Sequence, residues 1–222
     1  MSEFEESTEA MLSQLQARVL GSLMEKQMTT PDYYPLTLNA LVAACNQKSS
    51  RNPVMNQTLQ QVGGIISELR HEGLITANTL ARADRYEQFL ARKLHLSSKE
   101  RAIICVMLLR GSHTLNEIRV NTSRMVEFTD IDEILQTLQR MMDREEPLVI
   151  QIPRAHGQRE DRYTHLLCGT PDIETQPVKA ATPAAPSPPD ETLERIARLE
   201  EIVIQLQKEV RELKEGKTSA CL

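Results

Sequence analysis

Two stretches of the chain repeat the same order of apolar and polar positions. "RVLGSLM" from Arg18 and "RAIICVM" from Arg101 both place apolar residues at helical spacing. Each leads to a Thr-Leu-Asn segment, "TLNALVAAC" at 37–45 and "TLNEIRVNT" at 114–122. A third helical stripe follows in each stretch: Val62, Ile65, Ile66 and Leu69 in the first, and Ile131, Ile134, Leu135 and Leu138 in the second. The pattern predicts a duplicated unit of three helices.

Polar residues at the helix starts support these boundaries. A hydroxyl residue followed three positions later by Glu or Gln forms a capping box, because the two side chains satisfy free backbone amides. Three such pairs stand before predicted helices: Thr58 with Gln61, Ser97 with Glu100, and Thr114 with Glu117. The sequence therefore predicts a helix beginning directly after each of these hydroxyl residues.

Short runs of strand type follow the third helix of each unit. In the second unit "LVIQIP" and "RYTHLLC" flank a Gly-containing polar loop and predict a β-hairpin. The first unit has a weaker version, "GLITA" followed by "YEQFLARKL", and the latter is compatible with either strand or helix. Three helices with a two-stranded wing describe the winged helix-turn-helix fold.

The predicted fold class is therefore mainly α with small β-wings (α+β). It comprises two tandem winged helix-turn-helix domains, residues 11–96 and 97–169, followed by a C-terminal coiled-coil helix. A unit of about 80 residues buries only a modest core, so we expect the two units to pack against each other.

The chain changes character after residue 169. Residues 170–189 contain six prolines and few large apolar groups, as is typical of a linker. In residues 190–215 apolar positions alternate in steps of three and four, which predicts a coiled-coil seam and a homodimer: Ile196, Leu199, Val203, Leu206, Val210 and Leu213. The alternative is that this single amphipathic helix folds back onto the rest of its own chain.

Composition excludes several classes of protein. The 222 residues are 40% apolar and 26% charged, no run of 18 apolar residues occurs, and the first ten residues carry four carboxylates and no basic residue. We therefore expect a cytoplasmic protein. Four scattered cysteines and five histidines lack metal-ligand or catalytic spacing, so the sequence predicts no enzyme, no metal site and no cofactor.

The first unit carries an insertion before its third helix. Residues 46–61 number 16, whereas the matching interval of the second unit, 123–130, has eight. The insertion is rich in side chains that donate to phosphates or reach base edges. We predict DNA contacts from Lys48, Ser49, Ser50, Arg51, Asn56, Gln57, Gln60 and Gln61.

Two adjacent glycines, Gly63 and Gly64, lie within the predicted third helix of the first unit. Each costs a helix roughly 1 kcal/mol relative to Ala, which suggests that something approaches the backbone closely. Tight packing against another helix of the same chain is the alternative reason for such a pair.

The third helix of the second unit differs in charge. Residues 129–146 contain six acidic and two basic residues, so this segment is expected to repel phosphate. An acidic helix is better suited to contact the first unit, a partner protein or solvent. Across residues 11–189 the formal charge is only +1, which neither demands nor excludes a nucleic acid.

The segment "LMEKQMTTPDYYPLTLNALVAACNQKSSRNPVM" at 23–55 resembles the YceH family of uncharacterised bacterial proteins. The resemblance covers roughly residues 11–168. It implies tandem winged-helix domains and supplies no catalytic motif.

The expected function is a non-enzymatic protein that binds double-stranded DNA through its first domain, in gene regulation. The alternative is a protein–protein interaction scaffold built on tandem winged helices without DNA binding, with a partner at the acidic second domain. The polar insertion favours DNA, and the absence of an extended Lys/Arg stripe favours the scaffold.

Overall fold

The computed structural model describes residues 11–78, 83–154 and 159–170, together with Gln205. The chain divides into two compact units, Met1–Ile173 and Glu174–Leu222, and the helices and strands of residues 11–170 lie in the first. The predicted linker beyond Thr170 and the predicted coiled-coil seam lie outside the described residues. Within the described ranges, no helix has both the length and the apolarity to cross a membrane.

In the part that the structure describes, the first half of the compact unit contains four α-helices and three strands. They are α1 (Gln14–Thr29), a short 3-10 turn (Pro31–Tyr33), β1 (Leu36–Thr37), α2 (Leu38–Cys45), α3 (Leu59–His71), β2 (Ile75–Asn78), β3 (Arg85–Gln88) and α4 (Leu90–Lys93). The ambiguous segment from Tyr86 thus divides between two elements, since β3 ends at Gln88 and α4 begins at Leu90.

The second half repeats the order of the first. It comprises α5 (Ser98–Arg110), α6 (Leu115–Thr122), α7 (Ile131–Met142), β4 (Val149–Ile152) and β5 (Arg162–His165). The mixed α and β class, with small antiparallel sheets, is as predicted. The three predicted capping boxes are present, and a fourth, Ser13 with Gln16, starts α1.

Each half has a small antiparallel sheet behind its helices. In the first, the strand order is β1-β3-β2, with Leu36 opposite Tyr86 and Ile75 opposite Gln88. In the second, β4 pairs with β5, and an isolated bridge between His113 and Tyr163 takes the place of a β1 strand. The two sheets therefore pair their segments in the same order.

The predicted apolar stripe of the third helix in the second half is correct at Ile134 and Leu138 and wrong at Ile131 and Leu135. α3 buries Val62, Ile66 and Leu69 as expected, but α7 buries Ile134, Leu138 and Met141. Ile131 and Leu135, which the sequence pattern assigned to the core, are 38% and 40% exposed. The physical reason is that Thr137 can be buried at a core position, because its hydroxyl donates to the Glu133 carbonyl oxygen at 2.7 Å.

The two halves share a single apolar core. α1 packs along α5, and buried residues from both halves form one continuous cluster. Gly21 permits this contact, since a Cβ at that position would lie only 3.0 Å from the Leu108 Cβ. The expected packing of one unit against the other is thus achieved through the first helix of each.

The buried His113 ring makes the free energy of unfolding depend on pH. The ring lies in the interior, with Nδ1 donating to the Gly111 carbonyl oxygen at 2.7 Å. Burial, with Arg110 and Arg162 as lesser causes, lowers the pKa of His113 from 6.5 to about 4, against the opposing effects of Gly111 and Glu117. The folded protein therefore holds this ring neutral at pH values where an unfolded chain protonates it.

We expect the free energy of unfolding to be highest above about pH 6.5 and to fall as the pH drops towards 4. The decrease is up to about 1.4 kcal/mol per pH unit for one such group, because only the unfolded chain takes up the proton. Urea unfolding at a series of pH values from 7.5 to 5 measures this slope. His113→Asn should reduce the slope without abolishing it, because burial also lowers the pKa of His165 to about 4. An equal slope in parent and variant would contradict the assignment.

Candidate nucleic-acid interface

The insertion between α2 and α3 is a closed loop. The Asn46 side chain donates to the Gln57 carbonyl oxygen at 2.8 Å and accepts from the Gln57 backbone amide at 2.7 Å. These two hydrogen bonds join the ends of the loop. The Asn46 side chain thus satisfies the backbone groups of Gln57 in place of another backbone segment. The loop thereby sets the position at which Thr58 starts α3.

Arg51, one of the predicted DNA contacts, is buried inside this loop. Its guanidinium donates to both Glu25 carboxylate oxygens, at 2.6 and 3.1 Å, and its Nε donates to the Ala44 carbonyl oxygen at 3.0 Å. The Arg51 side chain is 0% exposed and that of Glu25 is 13% exposed. The prediction that Arg51 faces DNA is therefore wrong, because its hydrogen-bonding groups are used within the fold.

A second buried arginine supports the same loop from α1. Arg18 donates to the carbonyl oxygen of Cys45 at 3.2 Å and to that of Pro53 at 2.6 Å. Burial lowers the pKa of Arg18, and the nearby charge of Arg51 adds to this effect. The Glu25 carboxylate offsets part of the repulsion between the two cations, because it pairs directly with Arg51.

The loop also contacts the second half of the molecule. The Asn52 backbone amide donates to the Leu109 carbonyl oxygen at 2.9 Å. The Asn52 side-chain amide donates to the Arg110 carbonyl oxygen at 3.3 Å. These are carbonyls in the last turn of α5, which lack partners within their own helix. The insertion thus holds the end of α5 as well as the start of α3.

Sequence reasoning missed Arg18 and Glu25 as the partners of this loop. The signal was present, since charged residues seven positions apart lie on one face of a helix and these two interrupt the apolar pattern of α1. A buried charge needs a partner of opposite sign. Which basic residue of the insertion would pair with Glu25 could not be deduced from spacing.

The other predicted contacts differ in accessibility. Lys48, Ser49, Asn56, Gln60 and Gln61 are exposed, whereas Ser50 and Gln57 are half-buried. The Gln61 Oε1 atom is occupied, because it accepts from the Thr58 amide at 2.9 Å and the Thr58 hydroxyl at 3.1 Å. Gln60 makes no hydrogen bond to any residue that the structure describes. Within those residues, Gln60 is therefore the free carboxamide of the first turn of α3.

Gly63 and Gly64 face open space. A Cβ at Gly64 would meet no heavy atom of the described residues within 4 Å, and one at Gly63 would meet only the Leu38 Cδ2 atom at 4.0 Å. Among the described residues, no other helix packs closely against this pair. Gly21 shows the contrast, because there an added Cβ lies against α5.

The corresponding face of α7 carries apolar and acidic side chains where α3 carries glycine and glutamine. When the buried positions of the two helices are matched, Gly63 corresponds to Leu135, Gln60 to Asp132, and Leu59 to Ile131. The exposed face of α7 thus combines large apolar side chains with the acidic residues Asp130 and Asp132. Arg140 is the exposed basic residue of α7, whereas Arg144 follows the helix and donates to the Leu94 carbonyl oxygen at 2.7 Å.

Comparison with known proteins fixes the relationship of the chain. The family model described as "Protein of unknown function, DUF480" matches residues 12–158. The chain belongs to the DUF480 family. This span contains both halves of the compact unit up to β4, including the insertion, α3 and α7.

Similar proteins occur in several bacteria. A "UPF0502 protein" of Cellvibrio japonicus is 44% identical over 207 residues, which cover 92% of this chain and 95% of that protein. One from Pelobacter propionicus is 44% identical over 205 residues, covering 91% and 93%, and one from Pseudomonas paraeruginosa is 48% identical over 163 residues, covering 73% of each. The expected relationship to an uncharacterised bacterial family is thus confirmed, and the DUF480 description assigns no activity.

Proposed function

We propose that each half of the compact unit is a winged helix-turn-helix domain. In the first half the order is helix, strand, two helices and two strands, with the last strand between the other two. The second half repeats this order, with the His113–Tyr163 bridge in place of the first strand. In such a domain the third helix is the element that enters a major groove.

We further propose that the protein binds double-stranded DNA through α3 and acts in gene regulation. The observation that carries this proposal is the open surface of Gly63 and Gly64 on an exposed helix face. Two glycines in a helix interior lower its stability, and no contact within the described chain explains them. A duplex lying against the α3 backbone would use the space that they leave.

The electrostatic part of this binding is expected to be small. Lys48 is the exposed cation of the predicted contact set, and α3 itself carries Glu68 as well as Arg70 on its surface. Phosphate contacts determine the salt dependence of binding, with a slope of about 0.9 for each neutralised phosphate. We therefore expect a shallow salt dependence, with base contacts contributing much of the affinity for a specific site.

The test uses the full-length protein and a pool of random duplex DNA. Sequences retained through repeated rounds of binding are identified, and their affinity is measured by fluorescence anisotropy across a salt series. Lys48→Glu is expected to weaken binding and to lower the salt slope by about one ion, because one phosphate contact is lost. Arg51 is unsuitable for this purpose, since replacing it removes a buried ion pair.

Arg140→Glu on α7 is the matched control, since it also replaces an exposed basic residue with an acidic one. It should leave both affinity and salt slope unchanged. The proposal is overturned if no sequence is enriched, or if Lys48→Glu binds the enriched duplex as the parent does.

The alternative function, a protein–protein interaction scaffold without DNA binding, is favoured by one observation. Val120 on α6 is 64% exposed, and Ile131 and Leu135 on α7 add two further accessible apolar side chains. Asn116, one turn before Val120, lines the same cleft as Ile131. Exposed apolar surface of this kind suits a protein contact better than a phosphate backbone. A chain that enriches no DNA would leave this function as the better explanation.

A further inference from the structure

The hydrogen bonds of α3 determine which of its polar side chains is available to a base. Recognition helices contact base edges mainly through their N-terminal residues. In that part of α3 the Gln61 Oε1 atom accepts from the Thr58 amide, and farther along the helix the Ser67 hydroxyl donates to the Gly63 carbonyl oxygen at 3.1 Å. Gln60, exposed and without a hydrogen bond in the described chain, is left to make a base contact.

The chemistry of this face selects among the four base pairs. Guanine is read most often by Arg or Lys through its O6 and N7 atoms. Residues 59–68 contain neither Arg nor Lys. A glutamine carboxamide instead matches adenine, since it can donate to N7 and accept from the N6 amino group. Leu59, 48% exposed beside Gln60, offers an apolar surface of the kind that contacts a thymine methyl group.

We propose that α3 reads an adenine–thymine pair in the major groove, with Gln60 bonded to the adenine edge and Leu59 against a thymine methyl group. This inference rests on the proposed DNA binding and specifies the base that is read. The open surface at Gly64, one turn after Gln60, lets the helix lie deep enough for a side chain of this length to reach the base.

The experiment uses the full-length protein and the duplex enriched from the random pool. We expect an A·T pair at the core of that duplex, and replacing it with G·C should weaken binding roughly 5- to 150-fold. Substituting 7-deazaadenine, which lacks the N7 acceptor, at the same position should also weaken binding of the parent. Gln60→Ala should bind the adenine and 7-deazaadenine duplexes equally, with the salt slope of the parent.

Two controls separate a base contact from a general loss of structure. Gln61→Ala removes a capping side chain of the same helix and should retain discrimination between adenine and 7-deazaadenine. Gln136→Ala changes the position in α7 that corresponds to Gly64 and should alter neither affinity nor discrimination.

The outcomes distinguish this inference from the proposed function. An enriched duplex with a G·C core, equal binding of adenine and 7-deazaadenine by the parent, or retained discrimination in Gln60→Ala overturns the adenine contact and leaves DNA binding standing. A pool from which no sequence is enriched overturns both.

Discussion

Replacing Arg51 with alanine is expected to lower the free energy of unfolding by about 3–5 kcal/mol, the range found when one partner of a buried ion pair is removed. The Glu25 carboxylate would lose its two hydrogen bonds to the guanidinium, at 2.6 and 3.1 Å. Lys26, whose Nζ lies 3.8 Å from the Glu25 Oε2 atom, is a weaker substitute because it is partly exposed. For a compact unit of this size the melting temperature should fall by about 6–20 °C.

Urea unfolding followed by circular dichroism measures this loss. Lys48→Ala, in the same loop but exposed, is the control and should change stability by less than about 0.5 kcal/mol. A double-mutant cycle with Glu25→Ala should return a coupling energy of at least about 1 kcal/mol, since the two groups are in direct contact. Additive effects of the two single substitutions would count against the pairing of Arg51 with Glu25.

Gly64→Ala is expected to stabilise the protein and weaken its binding to DNA. Alanine at an exposed helical position adds about 0.5–1 kcal/mol to the free energy of unfolding, because the unfolded chain has less conformational freedom to lose. Nothing in the described chain opposes the added methyl group. If a duplex lies against this backbone, the same methyl group displaces it, and affinity should fall about tenfold or more.

Opposite changes in the two measurements are the distinguishing feature of this substitution. Thermal unfolding and anisotropy with the enriched duplex would be carried out on the same preparation of protein. A loss of binding that came from damage to the fold would be accompanied by a lower melting temperature. A more stable variant with the affinity of the parent would show that the glycine pair is not a DNA contact.

The element order of the described chain was predictable because its local signals agree with its tertiary structure. The hydroxyl and carboxylate pairs at Thr58, Ser97 and Thr114 all cap helices, since a capping box is satisfied within four residues of chain. The buried face of α7 was harder to predict. Ile131 and Leu135 fit a helical stripe as well as Met141 does, and only packing against α5, α6 and β4 selects the buried set.

The candidate interface was predictable in composition and less so in the role of each residue. The insertion is polar and basic as predicted, but Arg51 pairs with a residue 26 positions earlier in the chain. Long-range pairing of this kind leaves no local pattern, whereas an exposed Lys48 and a buried Arg51 look alike in sequence. The open surface at Gly63 and Gly64 likewise became evident only from the positions of the surrounding atoms.

The contact between α1 and α5 fixes how the two halves of the compact unit are placed relative to each other. Because both halves share one core and Asn52 holds the last turn of α5, the distance and angle between the α3 and α7 faces are fixed by packing. Two ligands bound on these faces would be kept in a constant mutual orientation. Neither half could be exchanged for a foreign domain without rebuilding the core that the two share.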